Sequence, residues 1–474
     1  MKVSRRGPDS GPAAPPNILF IVIDAARRDR FGCYGYERGT TPTIDALARE
    51  SLVFDRMIAT APWTLPSHAS LFTGLYAREH GADRPALKMR EGLVTLGEYL
   101  AQHGYAPLIV SNNPLVSRRW GIVNGSTPVM MRREFDPDFR RGVASAWSRR
   151  IKTVLGASDK GAGATNRLIE ALLPGLQTPF FLFVNYMECH WSYLPPRQFE
   201  RRFAPRVRSR LQSARQRLHL RLRRSWDPDL AKDPEQVALL SDLYDASLAY
   251  VDSRVGDLLT RLARDGRLDN TIVVVTADHG EELGDHGLIG HGMHLYQSLL
   301  HVPFLARIPG RPATRIDSLV QFTDVFAGLC RLVGLPEPPQ LRDRPFSGDP
   351  FALPPGSGGR AFAFAEWHQW EGERLVRRLG TFPGFRSTPS AETVQDERYK
   401  LIVEPASGQE RLFDLRADPG ERNDLGDGLP DVRARLHSAL EEWRAVCQPR
   451  GRANAYSAEE QRVLEARLAD LGYI

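Results

Sequence analysis

Apolar and polar positions follow two rhythms along the chain. Residues 17–24 (NILFIVID), 106–113 (APLIVSNN), 179–187 (PFFLFVNYM) and 271–280 (TIVVVTADHG) are short apolar runs closed by polar residues. Such runs predict strands buried on both faces. Between them, 41–51 (TPTIDALARES), 93–105 (LVTLGEYLAQHGY) and 243–266 (LYDASLAYVDSRVGDLLTRLARDG) carry apolar residues at helical spacing, the last two with a glycine stop. These predict amphipathic helices. The alternation predicts an α/β fold: a large, mostly parallel sheet sandwiched by helices, with ligands collecting at the carboxyl ends of its strands.

After about residue 310 the rhythm changes. One more strand and helix are followed by a loop-rich stretch, 341–360, with Pro and Gly throughout. Short runs at 361–367, 397–405 and 410–415 predict a small antiparallel sheet, and 429–447 an amphipathic helix that closes it. Three parts are expected: a disordered tail over 1–15, a catalytic domain over 16–335 and a C-terminal subdomain over 336–474.

Composition narrows this picture little. The chain has 474 residues, 42% hydrophobic and 25% charged, ordinary values for a protein with a sizeable core. Cys33, Cys189, Cys330 and Cys447 are far apart and form no C-x-x-C pair, which argues against a zinc finger or disulfide framework. The polar, Pro-rich start has no apolar core like that of a signal peptide, and no run approaches the ~20 apolar residues of a membrane span. A cytoplasmic location is expected. The net charge of +6 gathers partly in an arginine-rich segment, 201–226, which reads as a solvated face or as a weak peripheral contact with a membrane or polyanion. No nucleic-acid-binding signature is present, so no nucleic-acid partner is expected. The pattern fixes no oligomeric state.

Candidate chemistry lies at two strand ends. Asp24 closes the first apolar run, and Asp278 with His279 closes another. Two carboxylates and an imidazole brought together at adjacent strand ends would suit a divalent metal. Taken singly, Asp24 reads equally well as a helix cap and Asp278-His279 as a turn. Residues 277–305 also carry His286, His291, His294 and His301, a density hard to attribute to packing alone, although His286 and His301 also fit structural roles.

Together these stretches resemble the sulfatase family within the alkaline-phosphatase superfamily. IVIDAARRDRFGCYGYERGTTPTIDALARES, TLPSHASLFTGLYAREHG, FVNYMECHWSYLPP and TADHGEELGDHG occur in family order, followed by ERYKLIV and LFDLRADPGERNDL. The resemblance spans nearly the whole chain and implies the same fold as the periodicity. Two departures stand out. Family members carry Cys, sometimes Ser, at the head of a C-x-P-x-R motif that is converted to formylglycine. Here Thr64-Leu65-Pro66-Ser67-His68 occupies that place, and His68 replaces the arginine. Threonine cannot yield that aldehyde, because its β-carbon bears a methyl group, so no formylglycine is expected. Ala25 stands where a second acidic ligand is usual.

Threonine does serve as nucleophile in other branches of this superfamily. The resemblance therefore implies a metal bound by Asp24, Asp278, His279 and the Thr64 oxygen, with the metal lowering the hydroxyl's pKa. That donor set favours Zn²⁺ or Mn²⁺ over Ca²⁺ or Mg²⁺. It also implies that His190 donates a proton to the leaving group. His291 falls where a lysine often binds the transferred group, and His294 competes for that place. Asn112 and Asn113 end a strand and could hydrogen-bond a substrate oxygen. The implied activity is hydrolysis or transfer at a phosphate or sulfate ester of a small molecule, lipid or glycan. A conventional sulfuric ester hydrolase and a non-catalytic binding protein on the same fold remain as alternatives.

Overall fold

The computed structural model describes residues 14–83, 87–125, 127–131, 159–207, 212, 229–342, 344–345, 347–352, 356–368 and 389–451. Most of the expected tail, most of the arginine-rich segment and the chain after 451 lie outside these residues. The predicted alternation is realised as one large sheet. Its strands in chain order are β1 (Asn17–Ile23), β2 (Leu52–Ile58), β3 (Ala106–Ser111), β4 (Val129–Met131), β5 (Phe180–Tyr186) and β6 (Thr271–Thr276). A small hairpin follows, β7 (Glu282–Leu283) with β8 (Ile289–Gly290), then β9 (His301–Val302), β10 (Phe304–Arg307) and β11 (Thr314–Gln321). The large-sheet order is β11-β2-β10-β6-β1-β5-β3-β4, with β9 also on β2. β1 pairs in parallel with both β5 and β6, and β3 with both β4 and β5. β10 runs antiparallel between β2 and β6, so the sheet is mixed but mostly parallel.

Every residue of β1, β5 and β6 is buried, as strands covered on both faces require. The chain leaves the carboxyl ends of β1, β6, β5 and β3 side by side, and this is where Asp24, Asp278 and Asn113 sit. The long helix runs over Pro234–Arg264, starting earlier than its apolar periodicity suggests. Asp233 accounts for the early start. Its carboxylate accepts from the backbone N–H of Glu235 and Gln236 at 3.1 and 3.3 Å, with Pro234 in the first turn.

The C-terminal subdomain is an antiparallel sheet in the order β12 (Ala363–Trp367), β13 (Ala391–Gln395), β14 (Tyr399–Glu404), β15 (Gln409–Asp414). The helix Pro430–Val446 covers it with Leu436, Ala439, Leu440 and Trp443. Tyr76, from the first half of the chain, lies in the same apolar cluster, with its ring 5.3 Å from Trp443, and so joins the two sheets' regions. Among the described residues, no helix is long and apolar enough to cross a membrane.

A polar seam also joins the two regions. The Trp63 indole donates to Asp83 at 3.2 Å, and His368, just past β12, donates to the other Asp83 oxygen at 2.8 Å. Burial alone would lower the His368 pKa, but the bond to Asp83 and the charges of Asp83 and Glu366 push it up to about 9. A raised pKa means that protonation favours the folded state. The resulting stability is fully present below the ordinary imidazole value, ~6.5, and is lost as pH rises through about 9. We expect the wild-type melting temperature to fall between pH 6.5 and 9 more than that of His368→Gln. Parallel melting profiles would contradict this.

Candidate active site

Thr64 is the first residue of the helix Thr64–Thr73, with Trp63 as its extended N-cap residue. The N-terminal turn exposes backbone N–H groups and the positive end of the helix dipole, which favours negative charge on a nearby oxygen. Thr64, Asp24, Asp278 and His279 are all 0% exposed. The Thr64 Oγ1 lies 3.3 Å from His279 Nε2 and 3.3 Å from Asn113 Nδ2. Asn113 Nδ2 also donates to Asp24 at 2.7 Å, so one amide bridges the nucleophile candidate and a carboxylate.

One potential ligand atom from each of Asp24, Asp278 and His279 lies within 4.8 Å of the others. His279 Nδ1 faces the Gly280 carbonyl at 2.8 Å, so it carries the proton and leaves Nε2 as a bare donor atom. Gly280 is required there, because a Cβ would lie 1.8 Å from the Ser298 carbonyl oxygen. Asp278 is held by the N–H groups of Ala25 and His279 on Oδ1, at 3.1 and 3.0 Å. Asp24 Oδ1 and Asp278 Oδ2 are buried with no hydrogen-bond partner among the described residues. Two orphaned carboxylate oxygens beside a bare imidazole nitrogen fit a divalent cation, since a buried carboxylate otherwise meets a large desolvation cost. That cost, with the charge of Asp278, raises the Asp24 pKa to about 7.

Ala25 takes a left-handed conformation, φ 58°, which turns its N–H toward Asp278. Tyr244 fixes the turn by donating to the Ala25 carbonyl at 2.7 Å. This position therefore serves the cluster through its backbone and supplies no further carboxylate.

The remaining expected residues divide. His291 packs 4.3 Å from the His279 ring and 4.8 Å from His190, and its Nδ1 meets Glu281 at 2.9 Å. His294 instead stacks with Tyr296, and burial followed by the charges of Arg411 and His286 lowers its pKa to about 4. The structure thus separates His291, beside the Thr64 cluster, from His294, at the seam with the C-terminal sheet.

His68 lies one turn along the Thr64–Thr73 helix. Its Nδ1 donates to the Thr64 carbonyl at 2.9 Å and lies 3.4 Å from Asp278 Oδ2. It is buried against Phe183 and braces the helix, whereas an arginine there would carry a fixed charge. His190 Nδ1 donates to the Trp191 carbonyl at 2.7 Å, and burial, His291 and Lys160 hold its pKa well below the ordinary value. A lowered pKa favours the neutral ring, whereas the proton-donor role expected from the sequence needs the cation.

Asn112 and Asn113 take different partners. The Asn112 Oδ1 accepts from Thr165 at 3.1 Å, while Asn113 turns into the cluster. Sequence reasoning missed Glu281, which orients His291, and Ser67, which donates to the Asp278 carbonyl at 2.5 Å. The crowding of Glu281 among the histidines of 277–305 was the one available signal.

Comparison with known proteins identifies the family. The protein is 25% identical over 466 residues to the uncharacterized sulfatase YidJ of Escherichia coli, covering 90% of this chain and 87% of that one. It is 24% identical over 488 residues to an N-acetylglucosamine-6-O-sulfatase of Bacteroides thetaiotaomicron, covering 86% and 82%. Its fold matches the phosphonate monoester hydrolase of Agrobacterium radiobacter with a TM-score of 0.70 at 22% identity, over 91% of this chain and 95% of that one. The sulfatase family model matches residues 16–335. With acidic strand ends, a hydroxyl on the first residue of a helix and a histidine cluster meeting inside that span, the chain belongs to the sulfatase family of ester hydrolases.

Proposed function

We propose that the protein cleaves a phosphate-type ester by transferring its acid group to Thr64 and then to water or an alcohol. The observation that carries this reading is the Thr64 hydroxyl at a helix N-terminus, 3.3 Å from both His279 Nε2 and Asn113 Nδ2. Asp24, Asp278 and His279 would hold a divalent cation, which when bound supplies Lewis-acid activation of a neighbouring hydroxyl. Asn113 Nδ2 donates to Thr64 Oγ1 and to Asp24, which fixes the hydroxyl for in-line attack. As the Thr64 oxygen bonds to the phosphorus, the bond from phosphorus to the ester alcohol breaks, the proton of the Thr64 hydroxyl passes to the departing alcohol oxygen, and the helix N-terminus stabilises the developing charge. His190 Nε2 then takes the proton of the water or alcohol that attacks the phosphorus and returns it to the Thr64 oxygen as that bond breaks.

Phosphorus chemistry is favoured over sulfur for a chemical reason. Threonine has one hydroxyl on its β-carbon, so a covalently held group leaves only through attack on its central atom. The relatives with sulfatase names support sulfate-ester hydrolysis as a second reading. A panel of nitrophenyl phosphate, phosphodiester, phosphonate and sulfate esters, with Zn²⁺ or Mn²⁺, decides between them. We expect phosphorus esters to turn over at least about tenfold faster than the sulfate ester. A faster sulfate ester would transfer the assignment to the second reading.

A further inference from the structure

Trp63 stands directly before Thr64, so its backbone sets the direction in which the helix Thr64–Thr73 begins. That backbone is extended, with φ −156° and ψ 164°, and the side chain does not cap the helix. It reaches away from the helix instead. The indole N–H donates to Asp83 Oδ1 at 3.2 Å. The loop that carries His291 passes against Trp63: Gly292 has φ 96°, and a Cβ there would lie 3.7 Å from the Trp63 Cβ. Just upstream, the Thr60 carbonyl accepts from the Glu366 N–H of β12 at 3.1 Å.

Asp83 is 3% exposed. A carboxylate at that depth needs donors on both oxygens. His368 Nδ1 supplies one on Oδ2, at 2.8 Å. His368 Nε2 lies 3.6 Å from Glu366 Oε2, and Glu366 in turn accepts from the Arg78 N–H at 2.7 Å and from Arg78 Nε at 3.1 Å. The end of β12 thus holds the chain on both sides of the Thr64 helix, at Thr60 and Trp63 before it and at Arg78 after it.

The Thr64 hydroxyl tolerates little movement. Its two 3.3 Å contacts, to His279 Nε2 and Asn113 Nδ2, lie at the long end of hydrogen-bond range. A tilt of the first helical turn by about 0.5 Å would break one or both, and misplacement on that scale costs turnover.

We propose that Asp83, clamped by His368, is a positioning residue that aims the Thr64 hydroxyl through the Trp63 indole. The C-terminal sheet then contributes to the reaction without touching the reacting atoms. The inference rests on Thr64 being the nucleophile.

The test uses the full-length, Zn²⁺- or Mn²⁺-loaded protein well below its melting temperature, with the fastest nitrophenyl ester of the panel above as probe. Trp63→Phe keeps an aromatic ring and removes the indole N–H. It should lower kcat by about tenfold to 10²-fold, with KM within about threefold of wild type and metal content unchanged. The rate at which residue 64 acquires the transferred group, read by acid quench and mass spectrometry, should fall equally. His368→Ala should act in the same way. His368→Asn, whose amide N–H can replace the Nδ1 donor on Asp83, should keep kcat within about threefold of wild type. The double variant Trp63→Phe/His368→Ala should lose about as much as the larger single loss, because both act through Asp83. Wild-type kcat in folded Trp63→Phe overturns the inference, as does multiplication of the two single losses in the double variant. If Trp63→Phe folds poorly, the His368 variants decide: wild-type kcat in His368→Ala, or equal loss in the alanine and asparagine variants, overturns it. Failure of the Thr64 reading shows separately, as undiminished turnover in Thr64→Ala.

Discussion

Thr64→Ala is expected to fold and bind metal as wild type does, yet lose turnover by about 10³-fold or more. The lost hydroxyl and methyl are small, and two neighbours of the hydroxyl, His279 and Asn113, keep other partners in Gly280 and Asp24. The helix still starts after Trp63, because no side-chain cap bond from the N-cap residue holds that start. Thr64→Ser should keep measurable activity, since the hydroxyl stays in place with a freer rotamer. Thr64→Cys should not gain sulfatase activity, because His68 still occupies the arginine place in the modification motif. Acid-quenched wild type should carry the transferred group on the peptide containing residue 64, as mass spectrometry would detect. Turnover by Thr64→Ala at the wild-type rate would remove Thr64 from the mechanism.

The second large effect is on metal. Asp278→Asn and Asp24→Asn each remove one of two orphaned buried oxyanions, and each should lower metal affinity by about 10²-fold or more. Activity should fall in step. The pH dependence has a definite sign. Burial raises the Asp24 pKa to about 7, so in the metal-free protein its protonated form is favoured by folding. That stability is present below the ordinary carboxylate value of ~3.9 and is lost as pH rises through about 7. Metal binding must displace the proton. The metal-induced rise in melting temperature should therefore be small near pH 5 and grow to a plateau above pH 7. A shift that is constant across this range would contradict the ligand assignment.

Strands and their acidic ends were legible because burial on both faces leaves long apolar runs in which Asp24 and Asp278 stand out. Thr64 was legible through its five-residue motif. Other features depend on registers that periodicity does not resolve. Asn112 and Asn113 follow one strand, and successive residues there point in opposite directions, so one residue of offset decides which amide enters the cluster. His291 and His294 differ by three positions in a loop, where no repeat applies. The Trp63–Asp83–His368 seam depends on a bond between residues 285 positions apart, beyond any local pattern. Strand β13 also escaped notice, since its AETVQ sequence is short and polar although every residue is buried.

The central pairing of β1 with β6 has a consequence for synthesis of the protein. Ala25 and Asp278, joined across that pairing, are 253 residues apart. At translation rates of roughly 5–20 residues per second, about 13–50 s separate their emergence from the ribosome. During that time the NILFIVI segment has β5 as a late partner on one edge and nothing yet made for the other. An apolar strand in this state recruits chaperones or aggregates. A cation held by Asp24, Asp278 and His279 could not be captured before β6 arrives, so metal loading would report on completion of the fold, and slower, cooler expression should raise the loaded fraction.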